Sequence, residues 1–243
     1  NSHPITDTKE LTVPESRPIA IVTGASGGMG GAIVRDLSTT HRVIAVGRNA
    51  AVLESLSQET GSEHWVVDVT DEAGLQSLIA ELPQLDVVIH AAAIASPLRV
   101  DVATAADWER HFAVNVTAPA TLTRLALPLL RASQGTVVFI GSGAGTRPAP
   151  GSAVYSASKH ALRGLADVLR IDEEPHRVRV VTVAPGQTDT AMLRGSIPAE
   201  SYQAERYIRP ESVAQAVRYV VDAPADVQIT DVAVRPRQEI ARL

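Results

Sequence analysis

Short runs of β-branched and other apolar residues recur along this chain at a steady rhythm. They are Ile19–Thr23, Val43–Val46, Trp65–Val67, Val87–Ile89, Thr136–Ile140, Val178–Val183 and Ile229–Val234. Runs that are apolar on both faces suit parallel strands covered by helices on two sides. Between them lie helix patterns. Ala32, Ile33 and Leu37 share one face, Leu53 and Leu56 mark a second helix, and Leu75, Leu78, Ile79 and Leu82 a third. A long fourth helix is expected over about residues 105–131, kinked or split at Pro119 or Pro128. A fifth spans about 152–174, and a sixth starts with Pro210 in its first turn and runs to Val221. Strand–helix alternation of this kind predicts a doubly wound α/β domain of Rossmann type with right-handed crossovers. A length of 243 residues is compatible with one such unit.

Composition removes several function classes. The chain has no cysteine, which excludes disulfides, thiolate–metal sites and a cysteine nucleophile. The net charge of −5 and 3% aromatic content argue against a nucleic-acid partner. No stretch reaches the length of apolar chain that a membrane span needs. Residues 1–17 are polar, contain Pro4 and Pro14, and lack the apolar segment of a secretory signal. They read as a flexible arm before a catalytic domain over 18–243, and the expected location is cytoplasmic. His90, His111, His160 and His176 lack metal-ligand spacing and read as structural, with no metal site.

Six local features carry chemistry. Thr23-Gly-Ala-Ser-Gly-Gly-Met-Gly30 lies directly after the first strand and before a helix. Gly24, Gly28 and Gly30 leave no side chain where the backbone must turn and approach a ligand. The helix that follows aims its free N–H groups at the same place, so a pyrophosphate fits there; a ligand-free glycine turn is the competing reading. Arg48 follows the second strand, where an acidic residue would favour NAD and an arginine accommodates a 2′-phosphate; a solvated surface arginine is the alternative. Asp68 and Val69 follow the third strand. The carboxylate either accepts from an adenine amino group or caps the next helix. Tyr155 and Lys159, four apart on one helical face, pair a phenol with an ammonium that favours the phenolate. Ser142, just past the fifth strand, is placed to share a carbonyl oxygen with Tyr155, or is a turn serine. Asn115 lies in an apolar helical stretch and needs partners if buried.

These features in this order resemble the short-chain dehydrogenase/reductase family in its single-domain form, over about residues 18–236. The resemblance implies a seven-stranded parallel sheet in the order 3-2-1-4-5-6-7. It implies a catalytic tetrad of Asn115, Ser142, Tyr155 and Lys159. Cofactor contacts are implied at Thr23, Gly24, Ser26, Gly28, Met29, Gly30, Arg48, Asp68, Val69, Ala91, Ala92, Ala93, Tyr155, Lys159, Pro185, Gly186, Thr188 and Thr190. Where the family usually carries N-N-A-G, this chain has His90-Ala-Ala-Ala93, and the extra methyl at Ala93 is expected to shift the cofactor slightly. Val234-Arg-Pro-Arg-Gln238 resembles the C-terminus of NADP-linked members.

The implied activity is hydride transfer between NADP(H), in preference to NAD, and a small-molecule carbonyl or secondary alcohol. Tyr155 would act as acid or base, Ser142 would hold the substrate oxygen, and Lys159 would bind the nicotinamide ribose. Asn115 would anchor a water that relays protons. A homotetramer or dimer is expected through the fourth and fifth helices. The substrate pocket is expected at the Ser96 region, residues 143–148, Val154, Gln187, Met192 and Leu193; Arg147 and Arg194 read first as solvated arginines, the alternative being that one of them meets an anionic group. Residues 190–209 are expected to form a lid. Two alternative functions on the same fold are a nucleotide-binding sensor without turnover, and a dehydratase or epimerase.

Overall fold

A computed structural model describes residues 17–238, so the expected N-terminal arm lies, except for Arg17, outside the described residues. Seven strands form one sheet in the order β3-β2-β1-β4-β5-β6-β7, and every pairing is parallel. The strands are β1 (Ile19–Thr23), β2 (Arg42–Gly47), β3 (Glu63–Val66), β4 (Val87–His90), β5 (Thr136–Ile140), β6 (Arg179–Pro185) and β7 (Asp231–Val234). The helices are α1 (Gly28–Leu37), α2 (Ala50–Thr60), α3 (Glu72–Ala80), α4 (Ala105–Phe112), α5 (Ala118–Ser133), α6 (Ala153–Asp172), α7 (Ala191–Arg194) and α8 (Pro210–Val221).

The period-2 alternation of strand side chains divides the core into two layers. Ala20, Val22, Val43, Ala45, Ile89, Val138 and Val181 face Ile33 and Leu37 of α1, Leu53 of α2 and Val217 of α8. Ile21, Ile44, Val46, Val88, Val137, Phe139 and Val180 face Leu75 of α3, Leu122 and Leu130 of α5 and Leu162 of α6. Each buried Val, Leu, Ile or Phe among them contributes roughly 1.5–3 kcal/mol. The edge strand β3 begins two residues earlier than its apolar run suggests, because its exposed outer side needs no apolar residue there. Among the described residues, no helix is long and apolar enough to cross a membrane.

The expected long fourth helix is instead two helices joined by a π-helical turn over Ala113–Thr117. The break precedes Pro119, which lacks the N–H that the Asn115 carbonyl would accept in regular α-helix. Pro128 interrupts nothing; it sits on the exposed side of α5, where water satisfies the freed carbonyl. The stretch beyond β6 is not wholly free of strand pairing, since Thr188 and Ile208 form a parallel bridge. Strand order reverses beside β1, between β2 and β4, which opens a crevice at the carboxyl ends of these strands.

Candidate active site

Two adjoining cavities occupy that crevice. The smaller, about 300 Å³, is lined by Gly24, Ser26, Gly28, Met29, Gly30, Arg48, Asp68, Val69 and residues 91–94. The larger, about 860 Å³, is lined by Ser142, Tyr155, Pro185, Gly186, Gln187 and Thr188, among others. Met29, Thr190 and Met192 border both.

The glycine loop is built for close approach. Gly24 has φ +67°, and a Cβ there would lie 2.7 Å from the Ala92 backbone. A Cβ on Gly30 would lie 2.2 Å from the Gly24 carbonyl oxygen. No side chain caps α1, and its first turn carries no acidic residue. Its positive end therefore faces the smaller cavity without internal compensation, and the cradle fits a dinucleotide pyrophosphate. Thr23 does not reach the wall. Its hydroxyl donates to the Ile89 carbonyl at 3.3 Å and accepts from the amides of Ala91 and Ala92 at 3.1 and 3.2 Å. It ties β1 to the end of β4 and so shapes the cavity from behind.

At the far end of the smaller cavity, Arg48 Nη1 stands 3.5 Å from Asp68 Oδ2. Asp68 Oδ1 accepts from the amide and hydroxyl of Thr70 at 2.9 and 2.7 Å, and these bonds hold its carboxyl below the usual range. The helix-capping alternative for Asp68 is removed, because Asp71 caps α3 by accepting from the Gly74 amide at 3.1 Å. Arg110 and Val114 also line this cavity; one sits on α4 and the other in the π-helical turn. Sequence reading missed both, since a helix distant in the chain carries no local signal of facing this pocket.

In the larger cavity, Ser142 starts a 3₁₀ turn and its Oγ accepts from the Ala144 amide at 3.1 Å. The same serine lines the larger cavity together with Tyr155. Burial pushes the Tyr155 phenol above its usual pKa, and the Ser142 hydroxyl pulls in the opposite direction. The expected lowering by Lys159 is therefore not realised in the protein alone. Lys159 is buried, donates from Nζ to the Ile140 carbonyl at 2.9 Å, and lies 5.8 Å from the Tyr155 ring centre. Desolvation lowers its pKa to about 8.

Asn115 is also behind the wall. Its Oδ1 accepts from the Ile94 amide at 2.9 Å, and its Nδ2 donates to the Ile94 carbonyl at 2.9 Å and to Ser158 Oγ at 3.0 Å. These bonds join the end of β4 to α6 through the π-helical turn. The side chain is thus engaged, and Pro119 withholds the N–H that the Asn115 backbone carbonyl would accept in regular α-helix. His90 turns away from both cavities, stacks on Phe139 at 4.8 Å and bonds Thr123 at 2.8 Å. Burial lowers its pKa to about 3. Of the pocket positions expected from sequence, Ser96, Gly143, Ala144, Arg147, Gln187, Met192 and Leu193 line the larger cavity, whereas Gly145, Thr146, Pro148, the fully buried Val154 and Arg194 line neither.

The short chain dehydrogenase family matches residues 18–201. The chain belongs to the short-chain dehydrogenases/reductases. It is 31% identical to the NADP-dependent 3-hydroxy acid dehydrogenase YdfG of Escherichia coli, over 90% of this chain and 94% of that protein. It is 30% identical to dehydrogenase/reductase SDR family member 11 of Homo sapiens, over 91% and 95% of the two chains. Among solved structures, the closed form of a serine dehydrogenase complexed with NADP+ superimposes with a TM-score of 0.86 at 30% identity. That match covers 93% of this chain and 98% of the other.

Proposed function

We propose that this short-chain dehydrogenase/reductase transfers hydride between NADP(H) and a carbonyl or secondary alcohol, with Tyr155 as the proton-transferring group. The observation that carries this reading is that Ser142 and Tyr155 line one cavity, which shares Met29, Thr190 and Met192 with the cavity of the glycine cradle. NADPH, when bound, supplies the hydride that reduces the carbonyl carbon. The chain's own residues handle the oxygen. Ser142 and Tyr155 orient it by hydrogen bonding, and Tyr155 delivers the proton that makes it a hydroxyl. A phenol whose pKa is raised by burial holds its proton at neutral pH, which suits the reducing direction. Lys159 would return a proton towards Tyr155, with the Asn115 carbonyl holding the water that connects Lys159 to solvent. Gly28, Met29 and Gly30 would cradle the pyrophosphate, and Thr188 and Thr190 would border the nicotinamide end.

Preference for NADP rests on Arg48, whose guanidinium is placed to meet a 2′-phosphate, and on the NADP-linked names and ligands of the relatives. Arg48→Asp is expected to weaken NADPH binding far more than NADH binding in fluorescence titrations; equal weakening removes the assignment. Self-association through the fourth-helix region and α6 is supported by Val168 and Ile171, which stand exposed on α6. Light scattering of the purified chain tests it.

Tyr155→Phe tests the central reading. Turnover of carbonyl substrates, followed by loss of NADPH absorbance, is expected to fall at least ~10²-fold, while NADPH titrates as before. Near-normal turnover in that variant removes Tyr155 from the chemistry.

A further inference from the structure

The larger cavity has an uneven charge. Among the described residues, two arginines, Arg147 and Arg235, are the charged residues on its wall, and no aspartate, glutamate or lysine lines it. This contrasts with the molecule as a whole, whose net charge is −5. Arg147 follows the 3₁₀ turn that carries Ser142, and its amide donates to the Gly143 carbonyl at 3.0 Å, which fixes its backbone to the Ser142 loop. Arg235 approaches the same loop from the end of β7. Its Nη1 lies so close to Gly143 that a Cβ there would be 2.6 Å away, and it also flanks Gly186. Arg147 thus stands on the segment that follows the proposed oxygen-binding serine, and Arg235 abuts that segment at Gly143. The other arginine expected from sequence is removed from consideration. Arg194 donates from Nε to Asp189 Oδ1 at 2.7 Å and lines neither cavity. The rest of the wall mixes apolar side chains (Ala95, Pro97, Ala149, Met192 and Leu193) with neutral polar ones (Ser96, Ser152, Gln187 and Thr188), so it offers hydrogen bonds but no competing anion to a bound carboxylate.

We infer that the substrate of this site is an anion, a hydroxy acid or its oxo-acid counterpart, whose carboxylate is held by Arg147 while its alcohol or carbonyl oxygen faces Ser142 and Tyr155. This rests on the hydride-transfer reading for the position of the reacting oxygen, but the charge on the cavity wall does not depend on that reading. Arg147 is the deciding group: it stands on the cavity wall on an exposed loop and makes no ion pair with the described residues.

The test compares each acid with its own neutral ester. 2-Hydroxy and 3-hydroxy acids of increasing chain length, and their methyl esters, are titrated by calorimetry into the full chain saturated with NADP+. The same compounds are then assayed for oxidation. At least one acid is expected to bind tenfold or more tightly than its ester, a factor worth about 1.4 kcal/mol. Raising the ionic strength is expected to narrow the gap, because the attraction is between charges. In Arg147→Met the acid-to-ester ratio is expected to fall towards one, and Arg147→Lys is expected to restore part of it. If no acid outbinds its ester, or if Arg147→Met leaves the ratio unchanged, the anion assignment is overturned, whether or not turnover is seen. If the acid preference is present but no compound is oxidised, the hydride-transfer reading fails and the anion site stands.

Discussion

Lys159 is the residue whose environment makes the sharpest demand on solution behaviour. Its ammonium is buried against a single carbonyl, and its pKa falls to about 8. Below that pH the folded protein holds a cation under Tyr155; above it the site is neutral. We expect kcat/KM for carbonyl reduction, which reports groups of the free enzyme, to fall as pH rises through about 8. In Lys159→Met that limb should vanish and the remaining rate should be low and flat across the same range; a surviving limb near 8 would assign it to another group. The stability sign is the reverse. Between about 8 and the unfolded value near 10.5, the unfolded chain binds the extra proton, so this lysine's penalty on folding eases as pH rises. Asn115 belongs to the same scale. Its amide satisfies both backbone groups of Ile94, so Asn115→Leu should strand them in the interior at about 1–3 kcal/mol each, read as a lower urea midpoint.

At the scale of elements, two devices position the site. The π-helical turn between α4 and α5 places Asn115 against β4 and α6, and Pro119 keeps that stretch from relaxing to regular helix. Pro119→Ala would restore an N–H at that point. We expect it to lower catalytic turnover more than stability, because it lets the turn that holds Asn115 against β4 and α6 relax towards regular helix. Thermal unfolding alongside kinetics separates the two. The start of α4 is secured independently by a capping box: Thr104 accepts from the Asp107 amide, and Asp107 accepts from the Thr104 amide at 2.9 Å. Thr104→Ala should cost about 0.5–2 kcal/mol in denaturant unfolding. Loop chemistry orders the stretch beyond β6 as well. Asp189 gathers Arg194 and Tyr202, and Tyr202 stacks on Tyr207 at 4.9 Å, so this excursion is braced by side chains rather than by strands.

For the molecule as a whole, acid sensitivity should have a single identifiable contributor at the centre of the sheet. His90 is fully buried on β4, and its pKa falls to about 3. As pH drops from about 6.5 towards 3, the unfolded chain takes up a proton that the folded chain refuses. Stability should therefore fall in that window with an added slope of up to about 1.4 kcal/mol per pH unit. His90→Asn keeps a polar partner for Thr123 and removes the titrating ring. Its denaturation midpoint should change less between pH 6 and pH 4 than that of the parent; an unchanged slope would move the acid sensitivity elsewhere. The histidine that departs from the family's usual asparagine thus joins β4 to α5 and Phe139, on the sheet face away from the cofactor crevice.

The linear chain determined the doubly wound architecture, because period-2 and helical periodicities, glycine placement and proline placement are local properties of residues. Six of the seven strands, the glycine cradle and the grouping of Ser142 with Tyr155 could be read in this way, and β3 differed only at its edge. Tertiary structure alone decided which readings of ambiguous residues hold. Asp68 faces Arg48 while Asp71 caps the helix, Arg194 is tied to Asp189 while Arg147 faces the cavity, and Thr23 braces the wall without lining it. It also set the direction of the Tyr155 and Lys159 pKa values, since desolvation and hydrogen-bond partners come from segments far apart in sequence. Periodicity reports which face of an element is apolar; the neighbour a polar group meets is fixed only when the elements pack.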